Sequence, residues 1–201
     1  KGRLGIIGAT PLELSIISPE KIVAEYKAKG WENVICYGMG SSLDDVKNAA
    51  AAEMNIVCSA AAIKAAEYLK EKFGTPYEIE YPQSCLPEEI VQKAYNFTDK
   101  NVLVIHNQTA ADAVRKLITE KSGKCHCTSA TFFMQKKELL QQSDFFLADE
   151  SDLCDNVGDN YDVVIADKTL RRVMKNFSGE FIDFPHFGLS GRLLQGESEK
   201  I

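Results

Sequence analysis

The chain lacks the features that most readily identify a protein. No Cys-x-x-Cys occurs among its six cysteines (36, 58, 85, 125, 127 and 154), and 201 residues is large for a disulfide scaffold. The cysteines are therefore read as reduced thiols, as in a cytoplasmic protein, and oxygen-avoiding (anaerobic) chemistry fits them. No Gly-x-Gly-x-x-Gly follows the first apolar run and there is no Walker A loop, so neither a dinucleotide-binding fingerprint nor a P-loop is present. No apolar stretch approaches the roughly 20 residues needed to span a bilayer, and the start shows no signal-peptide pattern. Positive charge is in deficit: 23 Lys and Arg stand against 29 Asp and Glu, a net charge of −6. That balance excludes a general nucleic-acid or anionic-membrane partner. The first residue is Lys1 rather than Met, and a strand begins almost at once, so the chain is expected to be a piece of a longer protein.

What is present is a regular alternation of two periods. From Met54 to Cys58 runs an apolar segment short enough for a buried strand. Ala62, Ile63, Ala66, Leu69 and Phe73 then recur at helical spacing until Gly74 and Pro76 stop the helix, and Tyr77–Tyr81 reads as the next strand. Upstream, Leu4–Ile7 and Val34–Tyr37 are strands. Ser18 and Pro19 open a helix stopped by Gly30, and a further helix spans about Leu43–Ala52. After a short helix from Leu86 to Tyr95 the pattern restarts. Strands are expected at Asn101–Ile105, Cys125–Thr131, Phe145–Leu147, Tyr161–Ile165 and Phe181–Ile182, with helices at Ala110–Lys121, Lys136–Gln142, Ser151–Cys154 and Lys168–Asn176. Two halves thus repeat one scheme. The expected fold is α/β: two Rossmann-like, three-layer αβα domains with mainly parallel sheets facing a common cleft. Residues 1–97 form the first domain, 98–192 the second, and 193–201 a polar tail.

In such folds ligands meet the carboxyl ends of strands. This singles out Cys58 and Ser59 at the end of the third strand, and His106 at the end of the first strand of the second half. Gly38, Gly40 and Ser41 after the second strand offer either a backbone anion nest or an ordinary serine-capped turn. Cys125, His126 and Cys127 imitate a metal motif, but period two puts the thiols on one face and the imidazole on the other, a poor tetrahedral corner. Cys85 sits in a turn, and Cys154 lies among carboxylates that blunt its reactivity. His186 lies in the glycine-rich loop Pro185–Gly191 after the last strand, where either a structural or a ligand-binding histidine is at home.

Three stretches together resemble the nitrogenase component 1 family of oxidoreductases. They are Leu4–Leu12; Ser42–Asp45 through Met54–Cys58 to Phe73–Tyr77; and Tyr161–Asp167 followed by Phe184–Phe187 with Ser190 and Gly191. The resemblance implies the second and third of three stacked Rossmann-like domains around a metallocluster or tetrapyrrole-type substrate. It implies Cys58 and His186 as cofactor and metal ligands; the strand-end reading adds Ser59, and the candidate anion nest adds Gly38, Gly40 and Ser41, as cofactor-binding residues. It implies an iron–sulfur or other metallocluster in the parent protein, with none required on this piece, which is expected to be inactive alone. It implies as partners a homologous or identical component 1 subunit and an ATP-dependent iron–sulfur reductase delivering low-potential electrons. The run Ser59–Ala62 replaces the family's aromatic and basic lining, which points to a divergent member with another cluster or a bulkier substrate. The other class considered is a non-catalytic two-domain small-molecule or metallocofactor binder or scaffold.

Overall fold

Short apolar runs that end in turn residues become parallel strands, and the amphipathic runs between them become the covering helices. A computed structural model describes residues 1–157 and 160–194; most of the tail expected at 193–201 lies outside them. The described residues divide into two units, 1–85 with 193 and 194, and 86–192. Each is an α/β unit built on a parallel sheet.

In the first unit, β1 (Arg3–Ile7) leads through α1 (Pro11–Leu14) and α2 (Glu20–Ala28) to β2 (Asn33–Cys36). Next come α3 (Leu43–Lys47), β3 (Met54–Val57), α4 (Ile63–Phe73) and β4 (Tyr77–Ile79). The strand order is β2-β1-β3-β4 and every pairing is parallel. The crossover from β1 to β2 runs one way and the later two run the other. Right-handed crossovers therefore place α2 on one face and α3 and α4 on the opposite face. Leu4, Ile6, Ile22, Ile56 and Val57 are buried in this core.

The second unit begins with α5 (Glu88–Lys93), then β5 (Asn101–Ile105), α6 (Gln108–Ser122) and β6 (His126–Thr131). It continues with β7 (Phe145–Phe146), α7 (Glu150–Asn156), β8 (Val163–Ala166), β9 (Glu180–Asp183) and α8 (Phe187–Ser190). Its order is β7-β6-β5-β8-β9, again all parallel. Leu103, Ile105, Val164 and Ala166 pack with Leu153, Val157, Leu170, Met174 and Phe177 in one buried cluster.

Several boundaries depart from the pattern reading. The units part at Cys85 rather than at 97, because α5 and the turn after it belong with α6. Ile90, Ala94 and Phe97 are buried, and the Ser122 hydroxyl donates to the Ala94 carbonyl. Residues 193 and 194 fold with the first unit, where the Leu194 amide donates to the Ser15 carbonyl at 2.8 Å. The helix expected over 43–52 is α3 followed by a separate 3₁₀ turn at Ala49–Ala51. Lys168–Arg172 is likewise 3₁₀ rather than a longer α-helix; it is pinned at its start by the Asp167 carboxylate, which accepts from the Thr169 amide at 2.9 Å.

Candidate functional site

In an open parallel sheet the loops diverge where the strand order reverses, and that is where ligands enter. In the first unit the reversal lies between β1 and β3, so its rim is Gly8 on one side and Cys58 with Ser59 on the other. Gly38, Gly40 and Ser41 follow the edge strand β2 and stand off the reversal. The rim is close-packed. Gly8 has φ +85°, and a Cβ there would lie 2.7 Å from both the Ala62 Cβ and the Ser59 Oγ. Ser59 is 1% exposed and opens the 3₁₀ turn Ala60–Ala62 without a side-chain cap bond. Its Oγ has no hydrogen-bond partner among the described residues.

Cys58 is fully buried, and its amide donates to the Ile7 carbonyl at 2.9 Å. Burial pushes its thiol well above the ordinary cysteine range, and the nearby Cys85, Cys36, Glu80 and Glu25 push the same way. Burial also raises the Cys36 thiol, to about 12.

After β2, Gly38 and Gly40 take φ +88° and +77°. The Ser41 hydroxyl accepts from the Gly38 amide at 3.3 Å. Ser42 then caps α3 in a capping box: its hydroxyl accepts from the Asp45 amide at 3.1 Å while the Asp45 carboxylate accepts from the Ser42 amide at 2.9 Å. The helix thus meets its own carboxylate, and the serine-capped turn is the arrangement present.

In the second unit the reversal lies between β5 and β8, whose ends carry His106 and Asp167. Asp167 is fully buried. Its Oδ1 accepts from the Thr169 amide and hydroxyl at 2.9 and 2.8 Å. Its Oδ2 accepts from the His186 amide at 2.9 Å and the Ser190 hydroxyl at 2.5 Å. Arg192 reaches Oδ2 at 3.2 Å and forks onto both oxygens of Asp183 at 2.7 Å. Burial alone would raise the Asp167 pKa, but the bonds from Ser190, His186 and Thr169 outweigh it and hold it at about 2.

Asp167 thereby fixes the loop that carries His186. That imidazole is 2% exposed and lies flat on Phe133, with ring centroids 3.8 Å apart and planes 12° apart. His106 meets it edge-on at 4.7 Å and stacks on Phe184 at 3.9 Å. The His106 Nε2 lies 3.2 Å from the Pro185 carbonyl, which can only accept, so His106 carries its proton there. Burial lowers the His186 pKa to about 4; burial, and then the neighbouring His186, lower that of His106 to about 3. Both rings are neutral at pH 7.

Cys58 and His186 thus belong to different units, each at the carboxyl-end rim of its own sheet. Asp167, Phe133, Phe184 and Arg192 were not singled out as site residues from the sequence. Only Asp167 leaves a local signal there, an acidic residue directly after an apolar strand with Thr two positions on, the mark of a capping carboxylate.

These donors do not fit a metallocluster as they stand. Among the described residues no group of three His, Cys, Asp or Glu is placed to hold a metal ion. The Cys58 thiol lies where ionisation is opposed, whereas a thiol must ionise to ligate. The His186 Nδ1 accepts from the Gly188 amide at 3.1 Å, so the neutral ring has its proton on Nε2 and no free lone pair there. His126 is exposed on β6, and Cys125 and Cys127 are partly buried beside it.

No family model matches this chain and no curated protein matches it. A solved structure of nitrogenase Cp1 at pH 6.5 is similar over 92% of this chain, at 13% identity and a TM-score of 0.58. The chain spans 53% of that protein's length. With its two parallel sheets, the chain has a nitrogenase-like α/β fold.

Proposed function

We propose that this chain is the ligand-binding part of a nitrogenase-like oxidoreductase. In the longer protein, an ATP-dependent iron–sulfur reductase supplies low-potential electrons to the bound substrate, with Cys58 and Ser59 of the first unit and His186 of the second as the proposed binding residues. The parent pairs with a homologous or identical subunit and works anaerobically in the cytoplasm, while this piece alone turns nothing over. The observation that supports this reading is the nitrogenase-like fold over 92% of the chain; Cys58 directly follows β3, and His186 follows β9. Within the described residues no helix is long and apolar enough to cross a membrane.

Of the two ligand classes, the donor set favours an organic, tetrapyrrole-type molecule over a metallocluster. The rim thiol is unionised, the rim imidazole is a donor, and the helix after Ser59 begins with alanines that leave no charge to match a cluster. The same observation supports a second reading, a non-catalytic binder of such a molecule.

The test is anaerobic and has two arms. The chain is mixed with tetrapyrroles, and separately with iron and sulfide, and followed by thermal melting, visible absorption and EPR. A rise in Tm and a shifted visible band with a tetrapyrrole, weakened in His186→Ala, is the expected result. A cluster spectrum abolished by both Cys58→Ala and His186→Ala would reinstate the metallocluster. Supplying the parent protein with its reductase and ATP separates the two readings: a bound tetrapyrrole that stays unreduced leaves only the binder.

A further inference from the structure

The His186 Nε2 is buried, protonated and, among the described residues, without a hydrogen-bond partner. An orphaned buried donor is costly in any fold, so this one calls for an acceptor from outside the described residues. Everything else about the ring is held fast. Its backbone amide is tied to Asp167, its Nδ1 is tied to Gly188, and one of its faces is covered by Phe133. An acceptor must therefore arrive in the ring plane, which is the direction in which Nε2–H points.

The local charge decides what kind of acceptor suits it. Asp167 is the charged group that acts on this imidazole, and it is ionised. The nearby cation, Arg192, is shared between Asp167 and both oxygens of Asp183, so two carboxylates face one guanidinium. That surplus of negative charge repels a carboxylate or phosphate and tolerates a neutral oxygen. We infer that His186 binds its ligand as a hydrogen-bond donor, through Nε2–H, to a neutral carbonyl oxygen rather than as a metal ligand. The inference rests on the reading above that this loop belongs to a ligand site; Asp167 acts as the positioning residue.

Nitrogen-15 NMR of the histidine-labelled chain tests it, with the His186 signals assigned by their loss in His186→Phe. At neutral pH the expected state is Nε2–H with a bare Nδ1, and Co²⁺ leaves those signals in place. The opposite tautomer, or a cobalt-induced paramagnetic shift at Nε2, overturns the assignment. Two tetrapyrroles then separate acceptor types: biliverdin carries ring carbonyls, and protoporphyrin has carboxylates without them. Biliverdin is expected to move the Nε2–H resonance and to bind about tenfold more weakly to His186→Phe. His186→Gln, which keeps a side-chain donor, is expected to retain most of the affinity. Biliverdin binding with a stationary Nε2–H resonance and no effect of either variant overturns the donor role. If neither tetrapyrrole binds, the tetrapyrrole reading falls, while the tautomer and cobalt results still decide the role of His186.

Discussion

The two sheets reverse their strand order in the same way and fill the reversal in opposite ways. At the first, the Ser59 hydroxyl and the Ala62 methyl pack closely against Gly8, and the Ser59 Oγ bonds to no described residue. At the second, one carboxylate collects an amide and a hydroxyl on each oxygen and an arginine besides. The Ser59 side chain is held by contact, and the loop around Asp167 by directional bonds. Packing excludes what is too large but orients little; a hydrogen-bonded hub fixes a ring to one tautomer and one plane. The second rim is therefore the more firmly oriented of the two.

The largest expected break in this contrast is Asp167→Ala. It strips four hydrogen bonds from a fully buried carboxylate and leaves Arg192 with Asp183 alone. Losing one side of such a buried charged network costs about 3–5 kcal/mol, much of the stability of a typical domain. Chemical denaturation should show that loss, and hydrogen exchange should place it in residues 86–192. A loss below about 1 kcal/mol would mean that the hub is ornamental.

The next effect separates the units by pH. All three histidines lie in the second unit, at 106, 126 and 186. His106 and His186 titrate at about 3 and about 4 when folded, against an ordinary value near 6.5. A folded pKa below the unfolded one means that the unfolded chain takes the proton first. Their contribution is thus fully present above pH 6.5 and is lost as the pH falls below it. Each group adds a slope of at most about 1.4 kcal/mol per pH unit. Asp167, held at about 2, adds its own loss only below about pH 4. Amide protection factors, corrected for the intrinsic pH dependence of exchange, should fall between pH 6.5 and 5 in the second unit and hold steady in the first. His106→Gln with His186→Gln should flatten the limb, and an equal fall in both units would refute the assignment.

The same contrast explains what was legible in the sequence. Strands, helices and their alternation are local matters of period and stop signals, so β1 to β9 fall close to where the pattern puts them. Cys58, Ser59 and His186 could be placed because each directly follows a strand. The Asp167 hub could not, since it joins residues at 167, 169, 186, 190 and 192, and nothing in a linear pattern says that those turns meet. The stacking of Phe133 on His186 is equally invisible, because Phe133 follows a strand 53 positions away, in a segment without regular structure. The break at Cys85 was missed for a related reason. The pattern of α5 reads as the end of the first repeat, while its buried face, Ile90 and Ala94, is satisfied by α6.

The smallest effect is the sharpest comparison, because it sets one hydroxyl against another. Ser190 donates to Asp167 at 2.5 Å, whereas the Ser59 Oγ is buried with no partner among the described residues. Removing a hydroxyl bonded to a charge costs about 1.5–3 kcal/mol, while removing a buried hydroxyl that bonds to nothing relieves its desolvation and comes out neutral or slightly stabilising. Ser190→Ala should therefore lower the denaturation midpoint, and Ser59→Ala should leave it unchanged or raise it. Ser59→Ala also removes the atom that a Cβ at position 8 would strike, so it should soften part of the cost of Gly8→Ala; the Ala62 contact and the positive φ keep the rest. If both serine variants lose stability equally, Ser59 has a partner outside the described residues or a bound water, and the first rim is as directional as the second.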